Sequence, residues 1–131
     1  MISFTAGAVH LDASFLIRAL VAESAEALKL HRWNAAGRTL TMSALAWSQF
    51  LCGPVETEDQ ALAERMVRAV VPIGSEEASR AARLFNDTGR RRSSFQDCVI
   101  AAAAILARAP LATTDHADFE RFRPLGLEIA D

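Results

Sequence analysis

Hydrophobic positions along the chain form short strand-like runs that alternate with longer stretches of helical spacing. The first run, 8–12 (AVHLD), predicts a buried strand that ends on the acid Asp12, and Ser14 then opens a helical stretch. Further strand-like runs occur at 38–42, 69–73, 111–114 and 127–129. Helical patterns occupy 15–22, 24–37, 44–52, 57–68 and 76–86, and another begins after residue 94. This alternation predicts an α/β fold with a mostly parallel sheet and helices on both faces.

Four of these helices begin with hydroxyl side chains that are typical of N-caps, at Ser24, Ser43, Thr57 and Ser75. Thr57, with Gln60 three positions later, matches the capping-box pattern, and Ser75 precedes the helix at 76–86. Within the run 69–73, Pro72 favours an edge strand, because proline lacks the N–H that a central strand needs. We therefore expect these hydroxyls to accept backbone hydrogen bonds and this strand to lie at an edge of the sheet.

Length and composition limit what the protein can be. Its 131 residues predict one domain, residues 1–131, and a hydrophobic share of 51% supplies a core. The sequence has no apolar run near the ~20 residues of a membrane span, and its start lacks the features of a secretory signal. Cys52 and Cys98 show no metal-ligand spacing and are predicted to be buried free thiols. We therefore expect a cytoplasmic protein with no membrane partner.

The charge balance argues against a protein that binds nucleic acid by bulk charge, because the formal net charge is −2. Locally, Arg90, Arg91 and Arg92 are consecutive, and guanidinium groups are well suited to phosphate. A solvated loop between two helices explains the same run without any ligand. The arginines therefore indicate phosphate binding only in combination with other groups.

Three acids map to one edge of the predicted sheet. Asp12 ends the first strand, Asp115 follows the strand at 111–114, and Asp97 lies in the first turn of the helix leading to that strand. A helix antiparallel to the strand that follows it begins at the carboxyl edge, where open α/β sheets bind ligands. Each acid also has a structural interpretation: Asp12 as a helix cap, Asp97 in a capping pattern with Ser94, and Asp115 in a turn.

Clustered carboxylates indicate a cation, because their mutual repulsion raises each pKa unless positive charge lies between them. Oxygen ligands without nearby His or Cys favour Mg²⁺ or Mn²⁺ over zinc. None of His10, His31 and His116 has a second histidine at ligand spacing. Taken together, the acids predict a site for a hard divalent metal ion.

Three segments resemble PIN-domain ribonucleases of the VapBC toxin type, namely LDASFLI (11–17), MSALAWSQFLCGP (42–54) and RRRSSFQDCVIAAAAILARAPLATTDHADF (90–119). The resemblance covers essentially the whole chain in the right order, although each motif alone is short and common. It implies a PIN-like three-layer α/β/α sandwich whose acidic cluster holds Mg²⁺ or Mn²⁺ and cuts RNA. Carried onto this sequence, it implies Asp12, Asp97 and Asp115 as catalytic metal ligands, with Asp118 as an accessory ligand.

The resemblance also assigns polar residues around the acids. Ser14 and Thr113 match hydroxyls beside the first and last acids, and with Arg91 and Arg92 they are candidates for substrate binding. The implied reaction is metal-assisted phosphodiester hydrolysis, in which the ion polarises the scissile phosphate and lowers the pKa of an attacking water. The implied partners are an RNA substrate (tRNA or another structured RNA), a cognate antitoxin, and a second copy of the chain in a homodimer.

One catalytic position departs from the family's pattern. The helix after the second strand normally carries a glutamate, and the aligned residue here is Gln49. An amide keeps the length but loses the charge, and we expect its NH₂ group to donate to Asp12 or Asp97. The departure leaves an alternative function open, that of a catalytically weak PIN fold which binds RNA or an antitoxin without cutting.

Other α/β proteins with acidic sites fit less well. A phosphoaspartyl phosphatase needs Asp-x-Asp after its first strand, whereas this chain has Asp12-Ala13-Ser14. A receiver domain needs an acid pair at that strand and a lysine late in the chain, but the sole lysine is Lys29. The nuclease therefore remains the prediction.

Overall fold

The centre of the molecule is a parallel four-stranded sheet with the order β3-β2-β1-β4. A computed structural model describes residues 7–131, apart from the side chain of Ser93. Residues 1–6, on which the expectation of no secretory signal depends, lie outside the described residues. The strands are β1 (Ala8–Leu11), β2 (Thr39–Ser43), β3 (Ala69–Val71) and β4 (Leu111–Ala112). Each neighbouring pair is parallel, with His10 opposite both Thr41 and Leu111. The predicted α/β class is confirmed.

Helices connect the strands in the predicted order. They are α1 (Ala13–Ala19), α2 (Ala25–Ala35), α3 (Ala44–Cys52), α4 (Thr57–Met66), α5 (Ser75–Asp87), α6 (Phe95–Ala107) and α7 (His116–Phe119). Short 3₁₀ segments occupy Arg92–Ser94, before α6, and Glu120–Leu125, after α7. Helical connections of this kind return the chain to the same end of the sheet, so that paired strands run parallel. All the carboxyl ends of the strands therefore lie at the same edge.

The largest differences from the predicted elements concern strand length and helix capping. The run 127–129, predicted as a strand, forms only a single parallel bridge, between Ile129 and Leu111 of β4. Strand β4 itself has only two residues, so it offers little edge for a longer pairing. Ser24 and Ser43 cap their helices as predicted. Thr57 and Ser75 are instead the first residues of their helices, so these two predicted caps are one residue too late. The backbone N–H of Gly74 instead donates to Glu77 Oε1 at 2.7 Å. The expected edge position of β3 is confirmed.

Helix α6 lies in the core and fixes the geometry of the carboxyl edge. Its side chains Ala101, Ala102 and Ala104 are fully buried, and Ala103 is buried as well. Small side chains let a helix lie close to the elements around it, and α6 makes extensive contact with α5. Arg108, at a φ of 56°, ends the helix in the left-handed conformation and turns the chain into β4. The first turn of α6 therefore lies near the end of β4.

Two further expectations are tested by burial and helix length. Cys98 is buried as predicted, whereas Cys52 is exposed, because it is the last residue of α3 and faces solvent before Gly53. Both thiols are free. Among the described helices, none is long and apolar enough to cross a membrane.

Candidate acid site at the carboxyl edge of the sheet

Asp12 is the most buried acid of the site and also caps a helix. It follows β1 directly and is only 4% exposed. Its Oδ1 accepts hydrogen bonds from the backbone N–H of Phe15 at 2.9 Å and from the Ser14 hydroxyl at 2.8 Å. The capping interpretation of Asp12 is therefore confirmed, and it leaves Oδ2 as the oxygen free of these two bonds.

Hydroxyl groups join the end of β4 to this carboxylate. The Ser14 hydroxyl accepts from the backbone N–H of Thr114 at 3.3 Å, and the Thr113 hydroxyl accepts from that of Asp115 at 2.9 Å. The backbone N–H of Asp12 donates to the Ala112 carbonyl at 3.0 Å. Ser14 and Thr113 thus hold the loops that carry Asp12 and Asp115 together, while their predicted role in substrate binding stays a prediction.

Asp97 reaches the site from the first turn of α6 and does not cap that helix. Ser94, the N-cap residue, makes no capping hydrogen bond with its side chain, and its hydroxyl donates to the Arg91 carbonyl at 2.7 Å. The Ser94-Asp97 capping interpretation is therefore wrong. Asp97 Oδ2 instead lies 4.0 Å from Nη2 of Arg121, with 31% of the acid's side chain exposed.

The pKa of Asp12 is raised above its ordinary value, chiefly because burial disfavours the charged carboxylate. Hydrogen bonds from Thr113, Phe15 and Ser14 lower the pKa and offset part of this effect, while the negative charge of Asp115 raises it further. The carboxylate is thus held in place by donors that do not fully compensate for its burial.

The pKa of Asp97 is also raised, again mainly by burial. The charge of Asp118 raises it further, that of Arg121 lowers it, and those of Asp115 and Asp12 raise it. Asp97, in the first turn of α6, therefore lies within range of the negative charges of Asp12, Asp115 and Asp118. This is the electrostatic situation that a cation relieves.

The donor chemistry of the site suits a hard divalent cation, although the side chains do not yet converge on one. In the part of the chain that the structure describes, no three His, Cys, Asp or Glu side chains are close enough together to hold a metal ion. The charges of Asp115 and Asp12 nevertheless raise the pKa of Asp97, and that of Asp115 raises the pKa of Asp12, so the three acids lie near one another. Carboxylate oxygens are the donors that Mg²⁺ and Mn²⁺ prefer.

Arg121 belongs to this site and was not predicted from the sequence. It lies in the 3₁₀ segment after α7, with its guanidinium 4.4 Å from the centre of the Phe122 ring. Its Nε and Nη2 atoms are buried without a hydrogen-bond partner in the described structure. The only sequence signal for its place in the acid site is its position three residues after Asp118, because residues three apart are neighbours on a helical turn.

Gln49 faces a different partner from the one expected. Its Nε2 donates to Oε1 of Gln96 at 2.7 Å, so the expected hydrogen bond to Asp12 or Asp97 is not the one formed. Gln96 directly precedes Asp97, and the amide pair therefore joins α3 to the first turn of α6. Arg91 and Arg92, the predicted phosphate ligands, are exposed at the start of that turn.

Comparison with known proteins supports the architecture. A family model described as PIN domain matches residues 9–124. None of the curated protein sequences is significantly similar to the chain. The fold is similar to VapBC2 from Rickettsia felis, bound to a DNA fragment from the promoter, with a TM-score of 0.72 and 16% identity over 95% of this chain and 99% of that one.

Other similar structures are also toxin–antitoxin proteins by description. A toxin–antitoxin complex from Klebsiella pneumoniae has a TM-score of 0.68 and 20% identity over 85% of this chain and 89% of that one. VapBC-5 from Mycobacterium tuberculosis, of the VapBC family of toxin–antitoxin systems, has a TM-score of 0.57 and 24% identity, with 93% and 96% covered. These similarities confirm the predicted α/β/α sandwich.

Proposed function

The chain belongs to the PIN domain family, and we propose that it is a metal-dependent endoribonuclease, the toxin of a type II toxin–antitoxin pair. The observation that carries the proposal is the placement of Asp12, Asp97 and Asp115 at the carboxyl edge, where burial and neighbouring negative charge raise the pKa of Asp12 and Asp97. Acids whose pKa is raised by burial and by neighbouring negative charge, as for Asp12 and Asp97, are typical of a functional site. One domain spanning residues 1–131, acting on RNA in the cytoplasm, is part of the proposal.

The metal ligands in this proposal are the carboxylates of Asp12, Asp97 and Asp115, with Asp118 as an accessory ligand. A bound Mg²⁺ or Mn²⁺ supplies Lewis-acid polarisation of a phosphate and a lowered pKa for a coordinated water. The chain's own residues fix the ligands. Ser14 and the N–H of Phe15 hold one oxygen of Asp12, which leaves the other to face the cation.

Arg121 has two roles in this arrangement. Its positive charge lowers the pKa of Asp97 and so keeps this acid ionised over a wider pH range. Its guanidinium is largely buried against the Phe122 ring, with Nη2 4.0 Å from Oδ2 of Asp97, so it also positions this carboxylate at the edge of the site.

Partners follow from the family membership and from the structures that this chain resembles. Two of those structures are described as a toxin–antitoxin complex and a member of a family of toxin–antitoxin systems, which supports a cognate antitoxin for this chain. The proposal also includes a homodimer, and tRNA or another structured RNA with single-stranded loops as the substrate, since side chains read RNA mostly where bases are unstacked.

The test is cleavage of labelled hairpin and tRNA substrates with Mn²⁺ or Mg²⁺, and in EDTA, for the parent chain, Asp97→Asn and the control Asp87→Asn. Asp87 is an exposed acid at the end of α5. We expect metal-dependent cleavage by the parent and the control, and none by Asp97→Asn. Cleavage that persists in Asp97→Asn or in EDTA would show a different nuclease or a contaminant.

A second function is favoured by Gln49 and its bond to Gln96. Residue 49 is an amide where the family has a carboxylate, and its side chain bonds Gln96 and not the acids. The alternative is therefore a weak PIN fold that binds RNA without cutting. RNA binding by the parent chain without cleavage in either metal would support this alternative. Cleavage that appears in Gln49→Glu alone would support it further.

A further inference from the structure

A cleft of about 600 Å³ lies beside the start of α6, and no residue of the proposed catalytic cluster lines it. Its lining is two aromatic and two arginine side chains: Phe85, Arg90, Arg92 and Phe95. Phe95, the first residue of α6, is 45% exposed, which is unusual for a ring of this size. The described part of the lining contains no acid, so the cleft combines exposed apolar surface with positive charge.

The rings and one arginine are held in place by contacts with each other. Phe95 packs edge-on against Phe85, with centroids 5.7 Å apart and ring planes at 79°. The Arg90 guanidinium lies 5.6 Å from the centre of the Phe85 ring and donates to the side chain of Asn86. The cleft is therefore an ordered platform, and Phe95 keeps much of its ring surface open to solvent.

We propose that this cleft is a subsite for a single-stranded nucleotide of the substrate, in which the base stacks on Phe95 and Arg92 pairs with the phosphate. The inference rests on the proposed function and adds the substrate feature that is read beside the acids. Aromatic rings and arginines in a positively charged groove are the usual means of binding unpaired bases, because every base has a stacking face. A base inside a duplex does not offer that face.

The subsite is adjacent to the acids along the first turn of α6. Phe95 and Asp97 are two residues apart, so they point to different sides of the helix, Phe95 towards α5 and Asp97 towards Arg121. Helical side chains lean towards the N-terminus of their helix, which places both groups at the carboxyl edge of the sheet. An RNA strand that crosses the start of α6 therefore contacts both, with the stacked nucleotide next to the scissile phosphate.

An acidic segment of a protein is the competing occupant, because the arginines attract carboxylates as well as phosphates. The exposed ring favours RNA, since an acidic peptide gains little from a stacking surface, whereas stacking of a base on an aromatic ring contributes measurably to its binding. The two occupants predict different responses to loss of the ring.

The experiment measures binding of a labelled single-stranded RNA by fluorescence anisotropy, in EDTA, with the same sequence as a duplex for comparison. The chain variants are Phe95→Ala, Phe95→Trp and the control Leu28→Ala. Leu28 is another exposed apolar residue, and it lies on α2, outside the lining of the cleft. We expect Phe95→Ala to weaken single-strand binding on the order of 5- to 150-fold. Phe95→Trp and Leu28→Ala should bind like the parent, which also shows that the fold tolerates a change at residue 95.

The arginine is tested through the salt dependence of binding. Arg92→Gln should lower the slope of log K against log salt by about 0.7, the value for one phosphate contact on a single strand. Arg32→Gln, at an exposed arginine of α2, makes the same charge change and should leave the slope as it is.

Several results would overturn the subsite. The first is equal RNA affinity of Phe95→Ala and the parent, and the second is equal binding of duplex and single strand. The third is that Phe95→Ala loses binding of a polyglutamate peptide while it keeps its RNA affinity. A shift from dimer to monomer in Phe95→Ala at unchanged RNA affinity would make the cleft a contact between copies. Binding is measured in EDTA, which removes any metal-dependent step, so it does not depend on cleavage. If the nuclease proposal fails and the subsite proposal holds, the chain binds single-stranded RNA in EDTA but does not cleave it in Mn²⁺.

Discussion

The body of α6 and its first turn differ in burial, charge and contribution to stability. Ala101, Ala102 and Ala104 are fully buried and carry no polar side-chain atoms, so the helix body gains from burial and close packing. In the first turn, Asp97 is partly buried beside other acids, and its pKa is raised. The body therefore fixes the position of the turn, while the turn carries an unfavourable charge that a cation or substrate relieves. Such a division is expected where stability and activity conflict.

The largest expected effect is on cleavage, through Asp97→Asn. Loss of a metal-binding carboxylate should lower the cleavage rate at least 100-fold, or about 2.7 kcal/mol in activation free energy. The helix body is untouched, so the variant should fold normally by circular dichroism. Unchanged cleavage, measured beside Asp87→Asn, would mean that the first turn of α6 is no more functional than its body.

Next in size is a change to the helix body. Ala102→Leu inserts a larger side chain where no space exists and should lower the free energy of unfolding by about 1–3 kcal/mol. Urea denaturation measures this, with Ala107→Leu, at an exposed position of the same helix, as the matched control. Calorimetry on the folded fraction should give the same Mn²⁺ affinity as the parent. A neutral Ala102→Leu would show that the body is loosely packed and does not fix the turn.

A smaller effect is expected from Gln49→Glu, which changes the partner of the first turn. The glutamate can no longer donate to Oε1 of Gln96, and its negative charge should draw the side chain towards a bound cation. We expect Mn²⁺ affinity to rise about tenfold, the lower end for groups that support a metal site. Gln60→Glu on α4 makes the same charge change elsewhere. Equal Mn²⁺ affinity in all three proteins would show that residue 49 lies outside the site.

Much of the fold was predictable because its determinants are local. The alternation of apolar runs gave the strand and helix order, and the placement of Asp12, Asp97 and Asp115 at one edge followed from parallel connections. The caps at Thr57 and Ser75 were misplaced by one residue, since a hydroxyl is compatible with the first helical position as well as with the cap. Local patterns fix such boundaries least well.

The parts that could not be predicted depend on contacts between distant segments. Gln49 and Gln96 are brought together by the packing of α3 against α6, which no spacing rule reveals. Arg121 reaches Asp97 only after the chain has passed through β4 and α7. Exposure of Cys52 likewise depends on which side of α3 meets its neighbours.

The smallest expected effect concerns pH and compares the two parts of α6 without any metal. Because the pKa of Asp97 is raised in the folded protein, the folded state binds more protons than the unfolded state between the ordinary aspartate pKa of 3.8 and the raised value. Stability from this group is therefore present below pH 3.8 and is lost as pH rises through the folded pKa. Asp12 acts in the same direction, whereas His10, whose pKa is lowered by burial, acts in the opposite direction nearer neutral pH.

A difference between variants isolates the contribution of Asp97. Asp97→Asn removes this titration and leaves that of His10 in place, and Asp12 changes little because its pKa is raised chiefly by burial, so both contributions largely cancel when the two proteins are compared. In EDTA, the variant should match the parent near pH 4 and exceed its stability at pH 7, by about the 0.5–2 kcal/mol common for single stabilising changes. Urea denaturation at both pH values measures this, and Mn²⁺ should reverse the order at pH 7, because the ion stabilises only the folded state that binds it. A pH-independent difference would show that the first turn carries no more electrostatic cost than the alanine body behind it.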